Sequence, residues 1–359
     1  MKIIFDNIIF SQQKAGGISV VWYEILKRVL INKDISPFFI EYKKCNNNLF
    51  RRILDIPSEK IIYKNQFLLK IRRYLNPIIL LKEKTIFHSS YYRTINSNNA
   101  INITTVHDFT YERYYQGIAK WLHCNQKYQA IRNSSKIICI SENTKQDLLK
   151  YMPDIDKNKI QVIYNGVSDD YYRIKHLNLK SLPFPVHSYI IFVGSRIAYK
   201  RFDLSIDVLT KNKFNLVIVG GGKLTNKECE LLNTKIGIDR YKYIGSVQNK
   251  QLNQLYNGAF CLFYPSEYEG FGIPVLESQK AGCPVIAFNG SSIKEIAGKT
   301  ALLFNEHSID EINSCISTLF DNSTRNSIIL EGIKNANKYS WDITFTQLTL
   351  LYTNAFNIE

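Results

Sequence analysis

Residues 259–278 read AFCLFYPSEYEGFGIPVLES and show the pattern on which the whole chain is built. The apolar run AFCLFYPS is typical of a buried strand, and a loop with two glycines follows it. Pro274 then stands where a helix would begin, because the fixed φ angle of proline suits the first helical turn. The stretch therefore predicts a strand, a loop and a helix in succession, which is the basic unit of an α/β protein.

Two glutamates bracket this loop: Glu269 lies within it and Glu277 about one turn into the predicted helix. The backbone N–H groups of Phe271, Gly272 and Ile273 stand at the helix N-terminus, where such groups can bind an anion such as phosphate. Carboxylates suit hydroxyl groups instead, since they only accept hydrogen bonds. A ligand with both phosphates and a polyol would explain the stretch. Alternatively, Glu277 complements the helix dipole and the glycines form a turn.

The alternation of strand and helix patterns occurs in both halves of the chain. KIIF (residues 2–5) precedes a loop that ends in Gly16-Gly17 and then a helical pattern, and SENTKQDLLKY is a predicted helix with Ser141 or Asn143 as its N-cap. The other strand candidates are TIFHSS, NITTVHDF, KIICIS, IQVIYNG, SYIIFVGS, FNLVIVGGG, KYIGSV and PVIAFN. We predict two similar α/β halves, each a mostly parallel sheet covered by helices, with a ligand in the cleft between them.

A polar segment without periodicity, YYRIKHLNLKSLPFPVH, separates the two halves. We place a linker there, at residues 171–187, between an N-terminal domain (residues 1–170) and a C-terminal domain (residues 188–340). The last segment, residues 341–359, has apolar side chains at helical spacing and is predicted to be a packed helix.

Bulk composition narrows the class of protein. A chain of 359 residues that is 45% hydrophobic suits two globular domains. Its N-terminus lacks a signal-peptide pattern and no run approaches ~18 apolar residues, so we predict a cytoplasmic protein. The seven cysteines are scattered, which argues against a zinc site or a disulfide framework. The formal charge of +15 implies an anionic partner: nucleic acid, a phosphorylated substrate or an acidic membrane.

Cations and glycines follow other predicted strands. In FVGSRIAYKRFD, Arg196 and Lys200 could neutralise a diphosphate leaving group without a metal, or form only an exposed basic loop. Gly16-Gly17 could bring backbone amides to a phosphate or sugar, although a glycine pair also makes a simple turn.

Two histidines lie at predicted strand ends, and several motifs are absent. His107 and His88 could line the cleft or be structural. IVGGGKLT does not match a P-loop, because Val217 and Leu224 occupy required positions, and no G-x-G-x-x-G follows a strand. No nucleic-acid-binding motif accompanies the charge, so nucleic acid is not a predicted partner.

Taken together, these segments resemble the retaining GT-B glycosyltransferases of the large fourth family, the glycosyl transferases group 1 of bacterial polysaccharide and lipopolysaccharide synthesis. The family marker is two glutamates separated by seven residues, here Glu269 and Glu277. The resemblance covers nearly the whole chain and is carried by GGISVVWYE, TVHDF, KIICISENTKQDL, VIYNGV, FVGSRIAYK, VIVGGG, IGSV and EGFGIPVLE. It implies an α/β GT-B fold with two Rossmann-like domains facing across a cleft, and a closing helix at residues 341–359 that crosses back to pack on the N-terminal domain.

The resemblance also implies roles for single residues. The C-terminal domain would hold a UDP-, GDP- or ADP-linked sugar, with Glu277 accepting hydrogen bonds from the ribose and Glu269 near the sugar. Arg196 and Lys200 would grip the diphosphate, although Ser195 stands where the family often has the arginine. The other implied contacts are the amides of Phe271, Gly272 and Ile273, Val247 beside the base, and Gly16, Gly17 and the catalytic candidate His107 from the N-terminal domain.

In this family the leaving diphosphate is thought to help deprotonate the acceptor on the same face of the sugar. The resemblance therefore implies no side-chain nucleophile, no cofactor and no obligatory metal, and catalysis by positioning and charge stabilisation.

Residues 60–84 interleave basic and apolar side chains, including Lys60, Lys64, Lys70, Arg72 and Arg73. Such a stretch can lie on an anionic membrane, which would place the protein on the inner face of the cell membrane, or it can be an ordinary surface helix.

We therefore expect a glycosyltransferase that acts on a glycan or lipid-linked acceptor in surface polysaccharide or lipopolysaccharide synthesis. The alternatives are a GT-B relative such as a sugar-nucleotide epimerase or soluble-acceptor synthase, and a non-catalytic protein that binds an anionic ligand.

Overall fold

The computed structural model describes residues 1–64 and 73–357. The chain divides into two compact units: unit 1 comprises Met1–Asn165 with Trp341–Glu359, and unit 2 comprises Gly166–Ser340. Each unit is built on one sheet in which the described strands pair in parallel. The prediction of two Rossmann-like α/β domains is confirmed.

The strands of unit 1 are β1 (Lys2–Asp6), β2 (Ser36–Glu41), β3 (Ile61–Tyr63), β4 (Thr85–Ser89), β5 (Ala100–Val106), β6 (Lys136–Cys139) and β7 (Ile160–Val162). Those of unit 2 are β8 (Tyr189–Val193), β9 (Asn215–Val219), β10 (Tyr241–Gly245), β11 (Cys261–Tyr264), β12 (Val285–Phe288) and β13 (Leu302–Phe304). The described strands are ordered β3-β2-β1-β4-β5-β6-β7 in unit 1 and β10-β9-β8-β11-β12-β13 in unit 2.

The helices are α1 (Ile8–Gln12), α2 (Gly17–Val29), α3 (Thr110–Tyr114), α4 (Gly117–Arg132), α5 (Glu142–Tyr151), α6 (Phe202–Thr210), α7 (Asn226–Lys235), α8 (Asn249–Gly258), α9 (Ile273–Lys280), α10 (Ile293–Ile296), α11 (Ile309–Thr318), α12 (Asn322–Ala336) and α13 (Trp341–Asn357). Short 3-10 turns are Lys43–Asn47, Arg51–Ile53, Ser58–Lys60, Lys157–Lys159, Leu179–Ser181, Ala198–Lys200, Ile238–Arg240 and Gly298–Thr300. Of the helices in the described part of the chain, none combines the length and apolar character that crossing a bilayer requires.

The central strands of both sheets are apolar because parallel sheets are covered on both faces. In unit 1, Phe5 of β1 is buried and its ring stacks on Phe39 of β2 at 5.8 Å. In unit 2, Ile190 and Ile218 lie in one buried cluster with Phe263. Asp6 and Ser89 end β1 and β4 in unit 1, and Tyr264 ends β11 in unit 2. In a parallel α/β sheet, side chains at the carboxyl ends of strands can meet a ligand.

Helix α13 belongs to unit 1 although it ends the chain. The hydroxyl of Tyr352 lies 2.6 Å from Nδ1 of the fully buried His88 on β4. Thr344 donates to the backbone oxygen of Tyr164 at 2.8 Å. These contacts fix the closing helix onto the first sheet, and His88 has the structural role that was the alternative to lining a cleft.

The boundary between the units differs from the predicted linker. Unit 2 begins at Gly166, and it includes the whole segment at residues 171–187. Tyr171 is only 2% exposed, and the backbone N–H of Ile174 donates to Asn257 Oδ1 at 2.8 Å. Tyr172 and Ile174, at the start of this segment, are thus held by asparagine side chains of α8, although the sequence there is polar and aperiodic.

Two local predictions had opposite outcomes. Ser141 is the N-cap of α5, and its hydroxyl accepts from the N–H of Thr144 at 3.0 Å, as predicted. The segment predicted to be a loop after β1 instead contains the short helix α1, which buries Ile8 and Phe10. Burial of its apolar side chains stabilises a helix that would be too short on its own.

Candidate functional site

Helix α9 begins where the sequence predicts, directly after the glycine loop of unit 2. Gly272 is its N-cap with a φ angle of 102°, which L-residues rarely adopt. A Cβ atom at this position would lie 2.5 Å from Cδ1 of Ile293, so glycine is required for space as well. Pro274 is the second residue of the helix. The first-turn amides of Gly272 and Ile273 therefore stand at the carboxyl end of β11, as an anion site requires.

Glu277 lies one turn into α9 and is contacted by two phenols. The hydroxyl of Tyr256 donates to Oε2 of Glu277 at 3.1 Å, and Tyr171 also forms a side-chain hydrogen bond with the carboxyl. None of the described lysines, arginines or histidines forms a salt bridge with it. Burial raises the pKa of Glu277 to about 7, while the hydrogen bonds from the two tyrosines act in the opposite direction.

Glu269, in contrast, is paired with a cation. Its carboxylate forms a salt bridge with the ammonium of Lys200, in which both side chains are largely buried. The hydroxyl of Tyr264, the last residue of β11, also forms a hydrogen bond with Glu269 and is close enough to both glutamates to feel their charges. The structure thus brings Glu269, Glu277 and Lys200 together around Tyr264.

Two serines fix the glycine loop, and sequence analysis did not identify them. The hydroxyl of Ser291 accepts from the N–H of Glu269 at 2.9 Å. The hydroxyl of Ser292 lies 2.9 Å from the backbone oxygens of both Glu269 and Phe271. Both serines follow β12, the neighbour of β11 in the sheet. Both serines lie in the turn NGSS, directly after a predicted strand. This position could have identified them from the sequence, because the carboxyl ends of parallel strands lie at the same edge of a sheet.

Arg196 is placed differently from Lys200. Its Nε donates to Glu228 Oε1 at 2.7 Å, and its two terminal nitrogens donate at 3.0 Å to backbone oxygens in the loop after β9, those of Gly220, Gly222 and Lys223. Gly221 has a φ angle of 73°, and a Cβ atom there would lie 2.6 Å from Nη1 of Arg196. The guanidinium therefore holds this glycine loop. Its predicted contact with a diphosphate stays a prediction.

Val247 is half-buried in the loop between β10 and α8, two residues before Asn249. The side chain of Asn249 contacts the hydroxyl of Tyr171, which in turn contacts Glu277. Val247 is thus at the same edge of the sheet as the two glutamates.

The remaining predicted residues belong to unit 1. Gly16 is the N-cap of α2 and Gly17 its first residue. His107 follows β5 directly, and burial lowers its pKa to about 4 although Asp108 opposes the shift. Among residues 1–64 and 73–357, no group of three or more His, Cys, Asp or Glu side chains is arranged to hold a metal ion.

Two family models together span most of the chain. Residues 15–171 match Glycosyltransferase Family 4, and residues 178–335 match Glycosyl transferases group 1. With its paired Rossmann-like domains, the chain belongs to the GT-B glycosyltransferases of group 1, and it is a glycosyltransferase.

Individual relatives agree with this membership. The chain is 25% identical to an uncharacterized glycosyltransferase of Methanocaldococcus jannaschii over 95% of both chains. It is also 25% identical to the O-antigen biosynthesis glycosyltransferase WclY of Escherichia coli over 85% of both chains.

Solved structures support the fold. Anabaena HepE in complex with UDP and glucose superposes with a TM-score of 0.70 at 15% identity, covering 98% of this chain and 99% of that one. Staphylococcus aureus TarM superposes with a TM-score of 0.62 at 18% identity over 84% of this chain, which spans only 60% of TarM.

Proposed function

We propose that this glycosyltransferase moves a sugar, with retention of anomeric configuration, from a nucleotide diphosphate donor to a hydroxyl of a glycan or lipid-linked acceptor in surface polysaccharide or lipopolysaccharide synthesis. The observation that carries the proposal is the arrangement of Glu269, Lys200 and Glu277 around the N-terminus of α9. The O-antigen relative supports the acceptor class. The UDP and glucose in HepE make UDP-glucose the first donor to test.

Each charged group of the site suits one part of such a donor. Glu277 accepts hydrogen bonds from the ribose hydroxyls, since carboxylate oxygens are acceptors. Lys200 contacts a diphosphate oxygen, and its three N–H donors allow it to keep Glu269 at the same time. Glu269 is then held beside the sugar, next to the bond that breaks. The amides of Phe271, Gly272 and Ile273 face phosphate or sugar oxygens.

The proposed reaction needs no side-chain nucleophile. The bond between the anomeric carbon and the diphosphate oxygen breaks, and the acceptor oxygen bonds to the same face of that carbon. The acceptor proton passes to the departing diphosphate, whose charge Lys200 stabilises. No cofactor or obligatory metal takes part in this scheme. For Gly16, Gly17, His107 and Val247 the predicted roles stay predictions.

Calorimetric titration of UDP-glucose, GDP-mannose and ADP-glucose tests the donor site. We expect one of them to bind, and Glu277→Gln to weaken its affinity about 10- to 100-fold, as expected when a charged hydrogen-bond partner is lost. Glu267→Gln is the matched control, because Glu267 lies in the same loop but pairs with Arg201 at 3.1 Å. Absence of binding by all three nucleotides, or equal affinity in Glu277→Gln, overturns the proposal.

Two further measurements test the reaction itself. Transfer rates in the presence of EDTA should equal those with added Mg²⁺, and a large loss would show that a metal is required. Proton NMR of the product should show the anomeric configuration of the donor. An inverted product would contradict the retaining assignment.

We also propose that unit 1 docks on an anionic membrane surface, on the inner face of the cell membrane. Unit 1 has 26 lysines and arginines against 15 aspartates and glutamates, so it carries +11 of the total charge of +15. Within the predicted docking stretch at residues 60–84, Ile78 and Leu80 are 92% and 87% exposed. Lys70 and Arg72 of this stretch lie outside the described residues.

Sedimentation with vesicles of phosphatidylglycerol and phosphatidylethanolamine tests the docking. Ile78→Ser with Leu80→Ser should reduce the bound fraction severalfold, because two apolar anchors are lost. Ile238→Ser, a similarly exposed position in unit 2, is the control. Unchanged sedimentation of the double variant would contradict docking through this stretch.

A further inference from the structure

A chain of hydrogen-bonding side chains connects Glu277 with the start of unit 2. Nδ2 of Asn249 donates to Asp170 Oδ2 at 2.9 Å, and the hydroxyl of Tyr171 lies 3.3 Å from Oδ1 of the same asparagine. The Tyr171 hydroxyl also forms a hydrogen bond with Glu277, which receives a second one from Tyr256. The order along the chain is therefore Asp170, Asn249, Tyr171, Glu277 and Tyr256.

The two phenols act on Glu277 as neutral donors. Both tyrosines are fully buried, and burial, followed by the charge of Glu277, raises the pKa of each well above its usual range. They therefore keep their protons wherever the protein is folded. A carboxylate offers about four acceptor positions, and two phenols occupy two of them. Two positions remain, which match the pair of adjacent hydroxyls of a ribose.

We propose that Tyr171 and Tyr256 are positioning residues, which orient the Glu277 carboxylate toward the ribose of the donor and set the pH range in which the donor binds. This inference rests on the proposed role of Glu277 as the ribose acceptor. The titratable groups that form hydrogen bonds with Glu277 are the hydroxyls of Tyr171 in the segment before β8 and of Tyr256 on α8. Tyr264 on β11 also lies close enough to feel its charge.

The hydroxyl proton of Tyr171 has two possible acceptors, Glu277 and Asn249. A phenol donates one hydrogen bond, either to Glu277 or to Oδ1 of Asn249. Donation to Glu277 favours the ionised carboxylate, whereas donation to Asn249 does not. Removal of the tyrosine hydroxyl and removal of the asparagine acceptor should therefore shift donor binding along the pH axis in opposite directions.

Calorimetric titration of UDP-glucose between pH 5.5 and 8.5 measures these shifts, because the diphosphate diester of this probe does not titrate in that window. For the wild type we expect affinity to fall below about pH 7, as Glu277 becomes protonated. Tyr171→Phe and Tyr256→Phe should each move the midpoint up by about one pH unit, since a hydrogen bond to a charged group is lost. Asn249→Ala should move it down by a few tenths of a unit.

Two further variants distinguish a failure of the positioning role of the tyrosines from a failure of the proposed ribose contact of Glu277. Glu277→Gln should remove the pH dependence, and Tyr172→Phe, a change at the exposed neighbouring tyrosine, should leave the midpoint unchanged. Wild-type midpoints in both Tyr171→Phe and Tyr256→Phe, with a flat profile in Glu277→Gln, overturn the positioning role alone. A wild-type profile in Glu277→Gln overturns the ribose assignment as well. If a phenylalanine variant does not fold, a midpoint in Asn249→Ala that stays or rises still overturns the inference.

Discussion

Two buried carboxylates of unit 1 and Glu277 of unit 2 differ in their hydrogen-bond partners. In unit 1, Asp6 is paired with Arg93 and Glu41 with Arg51, in both cases with largely buried partners. In unit 2, Glu277 receives only neutral phenol hydroxyls, and burial raises its pKa to about 7. A buried charge whose partner is removed destabilises a fold, so an unpaired carboxyl at a strand-end site is expected where a ligand supplies the missing partners. The paired carboxylates of unit 1 are therefore expected to stabilise the fold, whereas Glu277 is expected to bind a ligand.

Acidification should have the largest effect, and it acts on unit 1. Burial lowers the pKa of His88 and His123 to about 3 and that of His107 to about 4. The unfolded chain takes up these protons below about pH 6.5 while the folded chain does not, so stability falls as the pH drops from 6.5 toward 4. Since one pKa unit corresponds to about 1.4 kcal/mol, we expect a loss of several kcal/mol, measured by urea unfolding at a series of pH values.

Replacing one histidine isolates this contribution. His88→Gln cannot be protonated, so the slope of stability against pH between 4 and 6.5 should become clearly shallower. His176→Gln changes an exposed histidine of unit 2 and should leave the slope unaltered. Equal slopes in wild type and His88→Gln would show that His88 does not contribute to the acid sensitivity.

Breaking a buried ion pair of unit 1 should have the next largest effect. Arg93→Met leaves Asp6 buried without its cation, and we expect a loss of about 3–5 kcal/mol in the free energy of unfolding. Arg132→Met is the matched control, because Arg132 pairs with Asp154 on the surface at 3.5 Å. This control should change stability by less than about 0.5 kcal/mol. Similar losses of stability in Arg93→Met and Arg132→Met would contradict the expectation that a buried ion pair stabilises unit 1 more than a surface ion pair does.

Removing the charge of Glu277 should increase the free energy of unfolding at pH 8, whereas breaking an ion pair of unit 1 decreases it. The folded protein holds a proton on Glu277 up to about pH 7, whereas the unfolded chain releases it near pH 4.5, so stability is lost as the pH rises through this window. Glu277→Gln should therefore unfold at higher urea concentration than wild type at pH 8, by about 2 kcal/mol, and show no gain at pH 4.5. A stability loss at pH 8 would mean that the carboxylate holds the fold together.

The smallest effect is expected for Arg196, which is paired like the arginines of unit 1. Arg196→Lys removes donors to the carbonyls of the loop after β9, so hydrogen exchange of Gly221 and Gly222 should become faster. UDP-glucose affinity should fall less than tenfold, and by less than in Lys200→Met. An equal loss of affinity in both variants would show that Arg196 contributes as much as Lys200 to binding the diphosphate.

Local pattern predicted much of this architecture. Apolar runs and helical periodicity indicated the alternating elements of both sheets, and the N-cap Ser141 was one of the two predicted candidates, because such signals depend on neighbours within a few residues. The short helix α1 was missed, since its stability comes from burial against the rest of unit 1. The start of the predicted linker at residues 171–187 was missed as part of unit 2 for the same reason: the α8 partners of Tyr172 and Ile174 are 81 and 83 residues away.

The sequence by itself determined the strand–loop–helix unit at residues 259–278 and the spacing that puts Glu269 in the loop and Glu277 one turn into α9, because helix geometry and glycine and proline chemistry act locally. The tertiary structure decided how the two glutamates differ. Lys200 pairs with Glu269, whereas Tyr171 and Tyr256 surround Glu277. These partners come from distant parts of unit 2, and only the packing of its strands and helices brings them to one edge of the sheet.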